Sequence, residues 1–160
     1  MRFTLIDKIV DLQSGANITA VKALTMAEEY LQDHFPRFPV MPGVLMLESM
    51  YQAATWLVYE ADEFQFSTIL LKEARNVKYA DFVQPGQTLT VRAEILKREG
   101  NLTTLKAQGT LDGKLAVSGK IVLQRLNIVD EYPDRAAWDV YARREMRRRF
   151  DMLYGAQRPS

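Results

Sequence analysis

The 160-residue chain has no cysteine and a single histidine. The first absence removes disulfides, thiolate nucleophiles and thiolate metal sites together, and it suits a reducing cytosol. With one histidine the chain is not expected to hold zinc or another metal. A charge excess is missing as well, since 21 Lys plus Arg stand against 20 Asp plus Glu, so the molecule as a whole has no electrostatic reason to seek nucleic acid or anionic lipid. No apolar run approaches the roughly 18 residues of a spanning helix. Asp7, Lys8 and Asp11 interrupt the stretch where a signal peptide would need an apolar core. The expectation is a cytoplasmic protein with no nucleic-acid partner and no membrane insertion.

What is present is enough apolar material, 48% of the residues, for one compact core. Residues 3–12 are ambiguous in period, and Ser14-Gly15-Ala16-Asn17 then supplies turn chemistry before an alternating strand over 18–24. A polar and aromatic loop, 27–38, ends at Pro42-Gly43. The next stretch, 44–61, has no internal Gly or Pro and is apolar on nearly every side, which predicts a central helix enclosed by other structure. Short strands are expected at 68–71 and 76–79, then longer ones at 89–97, 102–111 and 114–126, joined by Glu99-Gly100-Asn101 and the hairpin pair Asp112-Gly113.

One buried helix and an antiparallel sheet that must cover it give an α+β arrangement in which the sheet curls round the helix, the hotdog architecture. The chain divides as 1–130 for this unit and 131–160 for a tail. In the tail Trp138, Ala142, Met146, Phe150 and Leu153 recur at helical spacing among arginines, which predicts an amphipathic C-terminal helix with a basic face.

The chemistry concentrates in HFPRFPVMPGVLMLE, residues 34–48. His34 is the one side chain whose unperturbed pKa lies near neutrality, and Pro36 and Pro39 stiffen the loop around it. Taken alone, it could equally be a loop histidine without a task. Glu48 lies in an almost wholly apolar helix, so it is expected either to find a partner or to have its pKa raised to where it can donate a proton. The alternative is a helix face that meets solvent or an interface. Gln52 repeats polar character one turn on. Met41-Pro42-Gly43 offers no side-chain acceptor, which leaves the amides of Gly43 and Val44 for a ligand's carbonyl oxygen, where a developing oxyanion would be stabilised, or for water.

The stretch HFPRFPVMPGVLMLESMYQ resembles the hallmark HFPGHPVMPGVLxxExxxQ of the FabZ-type 3-hydroxyacyl-[acyl-carrier-protein] dehydratases, with His34, Glu48 and Gln52 in register. The likeness extends over roughly residues 3–126. It implies a cofactor-free β-elimination in lipid synthesis. A histidine would remove the C2 proton of a 3-hydroxyacyl thioester, a carboxylic acid would assist departure of the C3 hydroxyl, and the helix amide would polarise the thioester carbonyl. The matching positions are His34, Glu48 and Gly43 with Val44, and Phe38, Val40 and Gln52 fall in the surrounding, supporting places. The implied partners are an acyl carrier protein and a second copy of the chain, with histidine and acid of one site on different subunits, as a homodimer or a trimer of dimers.

Two departures stand out. Arg37 and Phe38 replace the family's Gly and His, and Ala80 and Asp81 replace basic residues before the later Pro-Gly turn. A hotdog thioesterase using a helix carboxylate to activate water, and a noncatalytic acyl-carrier-binding subunit, are the competing expectations.

Overall fold

The computed structural model describes residues 4–155. Six strands form one antiparallel sheet: β1 (Lys8–Gln13), β2 (Asn17–Ala23), β3 (Thr68–Tyr79), β4 (Thr88–Glu99), β5 (Leu102–Leu111) and β6 (Lys114–Leu126), in the spatial order β1-β2-β4-β5-β6-β3. Between β2 and β3 runs α1 (Gly43–Ala61), which packs against β2, β3, β4, β5 and β6. The sheet thus curls round one helix, as the sequence predicts.

Helical spacing explains why α1 lies there. Met46, Met50, Ala53, Ala54 and Leu57 share one side of the helix and are fully or almost fully buried. Each larger side chain among them contributes roughly 1.5–3 kcal/mol through burial. At i, i+4, i+7 and i+11, Glu48, Gln52, Thr55 and Tyr59 form a second stripe on the opposite side.

At the β5–β6 turn, Asp112 (φ 48°) and Gly113 (φ 81°) both take left-handed backbone, which matches the twist of a tight hairpin and fixes the register Leu111↔Lys114. The two short strands expected at 68–71 and 76–79 are one continuous strand, β3, with register shifts at Leu71/Glu73 and Arg75/Lys78. As an edge strand it is exposed along most of its length, so no buried alternation marked its middle. The ambiguous N-terminal stretch resolves into an extended lead-in followed by β1, the other edge, whose one fully buried residue is Ile9.

The C-terminal helix α2 spans Ala136–Tyr154, after a 3-10 turn at Pro133–Arg135. Its stripe differs from expectation at the first position. Trp138 is half exposed, and Asp139 takes the buried place at 1% exposure. The reason is a set of donors that converge on it. Asp139 accepts from Ser67 Oγ and from the backbone N–H groups of Ile128 at 2.9 Å and Val129 at 2.8 Å. Burial raises the Asp139 pKa, but those hydrogen bonds, with Arg143 nearby, outweigh it and leave the carboxyl below its ordinary value.

Further along, Phe150 is buried against Phe64, Tyr154 and Trp56, with ring centroids at 5.4, 5.7 and 6.3 Å. The arginines of α2 are not a uniformly solvated face. Arg143 donates to Asn127 Oδ1 at 3.0 Å, and Arg147 donates to Glu63 O at 2.9 Å while lying over the Phe64 ring. Arg148 and Arg149 share Glu145, whose pKa falls to about 2 through the hydrogen bond and charge of Arg148 and then of Arg149.

Candidate active site

The loop before α1 holds His34 in a defined pose. Phe38 N–H donates to Phe35 O at 2.8 Å, closing a turn with Pro36 at its second position, where the proline ring presets φ. Phe35 itself sits at φ 54°, a left-handed conformation that costs a non-glycine residue roughly 1–2 kcal/mol, directly after the histidine. The loop's far end is pinned where Met41 N–H donates to Val83 O at 2.9 Å.

Val40 between them is fully buried, and its carbonyl oxygen lies 3.0 Å from His34 Nδ1. A carbonyl can only accept, so Nδ1 carries a proton, and in the neutral ring Nε2 is then the nitrogen with the free lone pair that a general base requires. Val40 therefore acts through its backbone, by orienting the ring.

Pro42 caps α1 without a side-chain hydrogen bond, as the sequence predicts, and the first turn has no acidic residue. Leu45 and Met46 N–H both reach Pro42 O, so the amides of Gly43 and Val44 are the ones the cap does not satisfy. Gly43 also permits a close approach. A Cβ there would stand 3.1 Å from the Tyr79 ring. Around this helix start the side chains of Phe35, Phe38, Val44, Tyr79 and Phe82 are all exposed, and Phe38 meets Phe82 edge to face at 5.9 Å. Phe38 thus borders an apolar surface at the base of the loop.

Glu48 lies elsewhere. It is half-buried rather than enclosed, because its stripe of α1 faces a cavity of about 550 Å³ and not the sheet. It has the partner expected of it. Gln52 Nε2 donates to Glu48 Oε1 at 3.2 Å, while Gln52 Oε1 accepts from Leu5 N–H at 2.9 Å and Ile6 N–H at 3.4 Å. Gln52 therefore fixes the amide orientation, and with it the carboxylate, from the N-terminal segment.

Tyr51, Trp56 and Tyr59 continue the α1 wall of the cavity, and Ile69 of β3 closes one side. Burial raises the pKa of both Tyr51 and Tyr59, so their hydroxyls stay protonated and act as donors, Tyr51 to Ile69 O at 2.7 Å. The opposite wall comes from Met146, Met152 and Leu153 of α2. Helical spacing from Gln52 could have found Trp56 and Tyr59. The sequence put Met146 and Leu153 on the apolar stripe of a C-terminal helix but did not say what that stripe would cover, which is decided only where the tail folds back.

Within one chain, then, Glu48 and Gln52 come together, and His34 and Val40 come together, but the residues lining the Glu48 cavity do not include His34. Among the described residues no group of three or more His, Asp or Glu is placed to hold a metal ion.

A six-stranded antiparallel sheet curled round a helix, with a histidine loop at that helix's start and a carboxylate further along it, defines a hotdog-fold protein. A family model described as a FabA-like domain matches residues 1–120. A 3-hydroxyacyl-[acyl-carrier-protein] dehydratase FabZ of Lactococcus lactis subsp. cremoris is 40% identical over 119 residues, covering 74% of this chain and 82% of the relative. Its counterpart in Levilactobacillus brevis is 37% identical over 115 residues, 72% of this chain and 78% of that one. Among solved structures, the dehydratase heterocomplex ApeI:P of Xenorhabdus doucetiae superposes with a TM-score of 0.63 at 17% identity, over 78% of this chain and 84% of that chain. The chain belongs to the FabA-like family, in its FabZ-type dehydratase branch. The departures at Arg37 and Phe38 sit within an otherwise intact motif.

Proposed function

We propose that the protein dehydrates 3-hydroxyacyl thioesters, carried on an acyl carrier protein, to trans-2-enoyl thioesters in fatty acid or related lipid synthesis. The observation that carries the mechanism is the hydrogen bond between His34 Nδ1 and Val40 O, which leaves Nε2 as an oriented base. His34 Nε2 takes a C2 proton, and the electron pair passes into the thioester carbonyl, whose oxygen is met by the Gly43 and Val44 amides. Collapse of that enolate forms the C2–C3 double bond and expels the C3 hydroxyl, which Glu48 protonates so that it leaves as water. Exchange with solvent then returns the proton to Glu48 and removes one from His34. No cofactor takes part.

The working unit is a homodimer in which His34 of one chain serves Glu48 of the other. Three features support this: His34 lies off the Glu48 cavity, the loop and helix start present an exposed apolar surface, and β3 is a sheet edge with Leu70, Leu71 and Tyr79 exposed. Sedimentation in solution distinguishes the dimer from a trimer of dimers. Among the described residues no helix is long and apolar enough to cross a membrane.

The test incubates the protein with 3-hydroxyacyl thioesters on carrier protein and on coenzyme A, following enoyl formation and free thiol separately. His34→Ala and Glu48→Gln should each lower enoyl formation about 100-fold or more while the fold remains, because each removes a proton-transfer group. Near-normal turnover in either folded variant removes that residue from the mechanism. Thiol release without enoyl product would make the protein a thioesterase.

A further inference from the structure

The matched family region ends at residue 120, yet the cavity beside Glu48 has one wall made by α2, which begins at Ala136. That wall is held in place from both ends. Near the start, Asp139 accepts three hydrogen bonds from Ser67, Ile128 and Val129. Near the finish, Phe150 is buried among Trp56, Phe64 and Tyr154. Between these anchors α2 turns Met146 towards the aromatic side of α1, and just past Phe150 it adds Leu153, with Met152 at the rim, 73% exposed.

Along the α1 wall Glu48 and Gln52 come first and Trp56 follows, while α2 faces them with Met146, Met152 and Leu153 and also brings Arg148 and Arg149. A thioester whose C3 hydroxyl meets Glu48 has to send the rest of its acyl chain away from that carboxylate, and the surfaces that favour a hydrocarbon lie on the α2 side. About 550 Å³ is within the range of small-ligand sites, and methionines line it flexibly.

We propose that α2 forms the distal wall of the acyl-chain site, so that Met152 and Met146, outside the matched family region, select the length of chain the enzyme accepts. This rests on the dehydratase reading above and names the part of its substrate that this helix recognises. Arg148 and Arg149, drawn together by Glu145, border the same cavity and keep its rim polar, which orients the opening towards solvent.

The experiment compares kcat/KM for four-carbon and ten-carbon 3-hydroxyacyl thioesters in the full-length parent, Met152→Trp and Met152→Ala. Met152 is an exposed rim residue, so both variants should fold, and thermal melts confirm it. Met152→Trp should lower the ten-carbon to four-carbon ratio about tenfold, and Met152→Ala should raise it or shift the optimum to longer chains. If the parent converts both substrates and the ratio is the same within twofold in all three proteins, the α2 wall is wrong while the dehydratase reading stands. If the folded parent converts neither substrate, the reaction itself is wrongly assigned, and the chain-length role falls with it.

Discussion

Replacing Asp139 with alanine takes the acceptor away from three donors at once: the Ser67 hydroxyl and the N–H groups of Ile128 and Val129. Hydrogen bonds to a charged group contribute about 1.5–3 kcal/mol each, and an unsatisfied buried donor costs about 1–3 kcal/mol. The full sum does not apply. Ile128 and Val129 are only half-buried, so water can reach their amides in the variant, and the cost of holding a charge at 1% exposure disappears with the carboxylate. A net loss of about 3 kcal/mol follows, which for a chain of this size lowers Tm by about 6–12 °C. Calorimetry at pH 7 measures it.

The same group makes a signed prediction for pH. Its pKa in the folded protein lies below the ordinary aspartate value, so on acidification the unfolded chain takes up the proton first. The contribution of Asp139 is therefore complete above the ordinary aspartate value and is lost as pH falls through the lower, folded one. Comparing the parent with Asp139→Asn, the gap in Tm should be widest near neutrality and should narrow towards pH 3. A Tm for Asp139→Ala within about 2 °C of the parent at pH 7, or a gap from Asp139→Asn that does not change with pH, refutes the account of this carboxylate as the anchor of α2.

Two further outcomes are expected. Mixing inactive His34→Ala and Glu48→Gln proteins under conditions of subunit exchange should restore activity, since half the sites in a mixed dimer are intact; an inactive mixture with exchange demonstrated by mass spectrometry refutes the shared site. Phe38→His should move the kcat/KM profile towards shorter acyl chains and lower stability by about 0.5–1.5 kcal/mol through the lost contact with Phe82; a lower Tm with an unmoved profile would leave Phe38 a packing residue only.

How much of this was legible depended on whether a signal was local. Pro42-Gly43 followed by a largely apolar stretch without Gly or Pro marked α1 to within a residue, and Asp112-Gly113 marked the β5–β6 hairpin, because turn and cap chemistry is written in neighbouring residues. β3 was read as two pieces because an exposed edge strand has no buried face to enforce alternation, and its Lys72-Glu73-Ala74-Arg75 middle looks like a loop. The spacing from His34 to Glu48, with Val40 between them and Gln52 one turn beyond, stood out through its resemblance to a family motif. What Val40 contributes is a carbonyl, which no side-chain reading can reveal. Asp139 was passed over for Trp138, since the apolar residue is the better guess for a buried stripe until the free amides of Ile128 and Val129 are seen beneath it.

Gln52 connects the beginning of the chain to the acid through two successive hydrogen bonds, from Leu5 N–H to its carbonyl oxygen and from its amide nitrogen to Glu48. The lead-in to β1 is thereby a mechanical lever on the carboxylate, although it carries no reactive group of its own. A purification tag or fusion partner that draws Leu5 and Ile6 out of position would rotate the Gln52 amide and release Glu48 from its orientation, and, because both side chains are fully buried, it would lower the melting temperature as well. Proteins prepared with different leaders could then differ in turnover with identical active-site residues, and the placement of a tag at the far end of the chain becomes a biochemical variable to be chosen with the same care as the buffer.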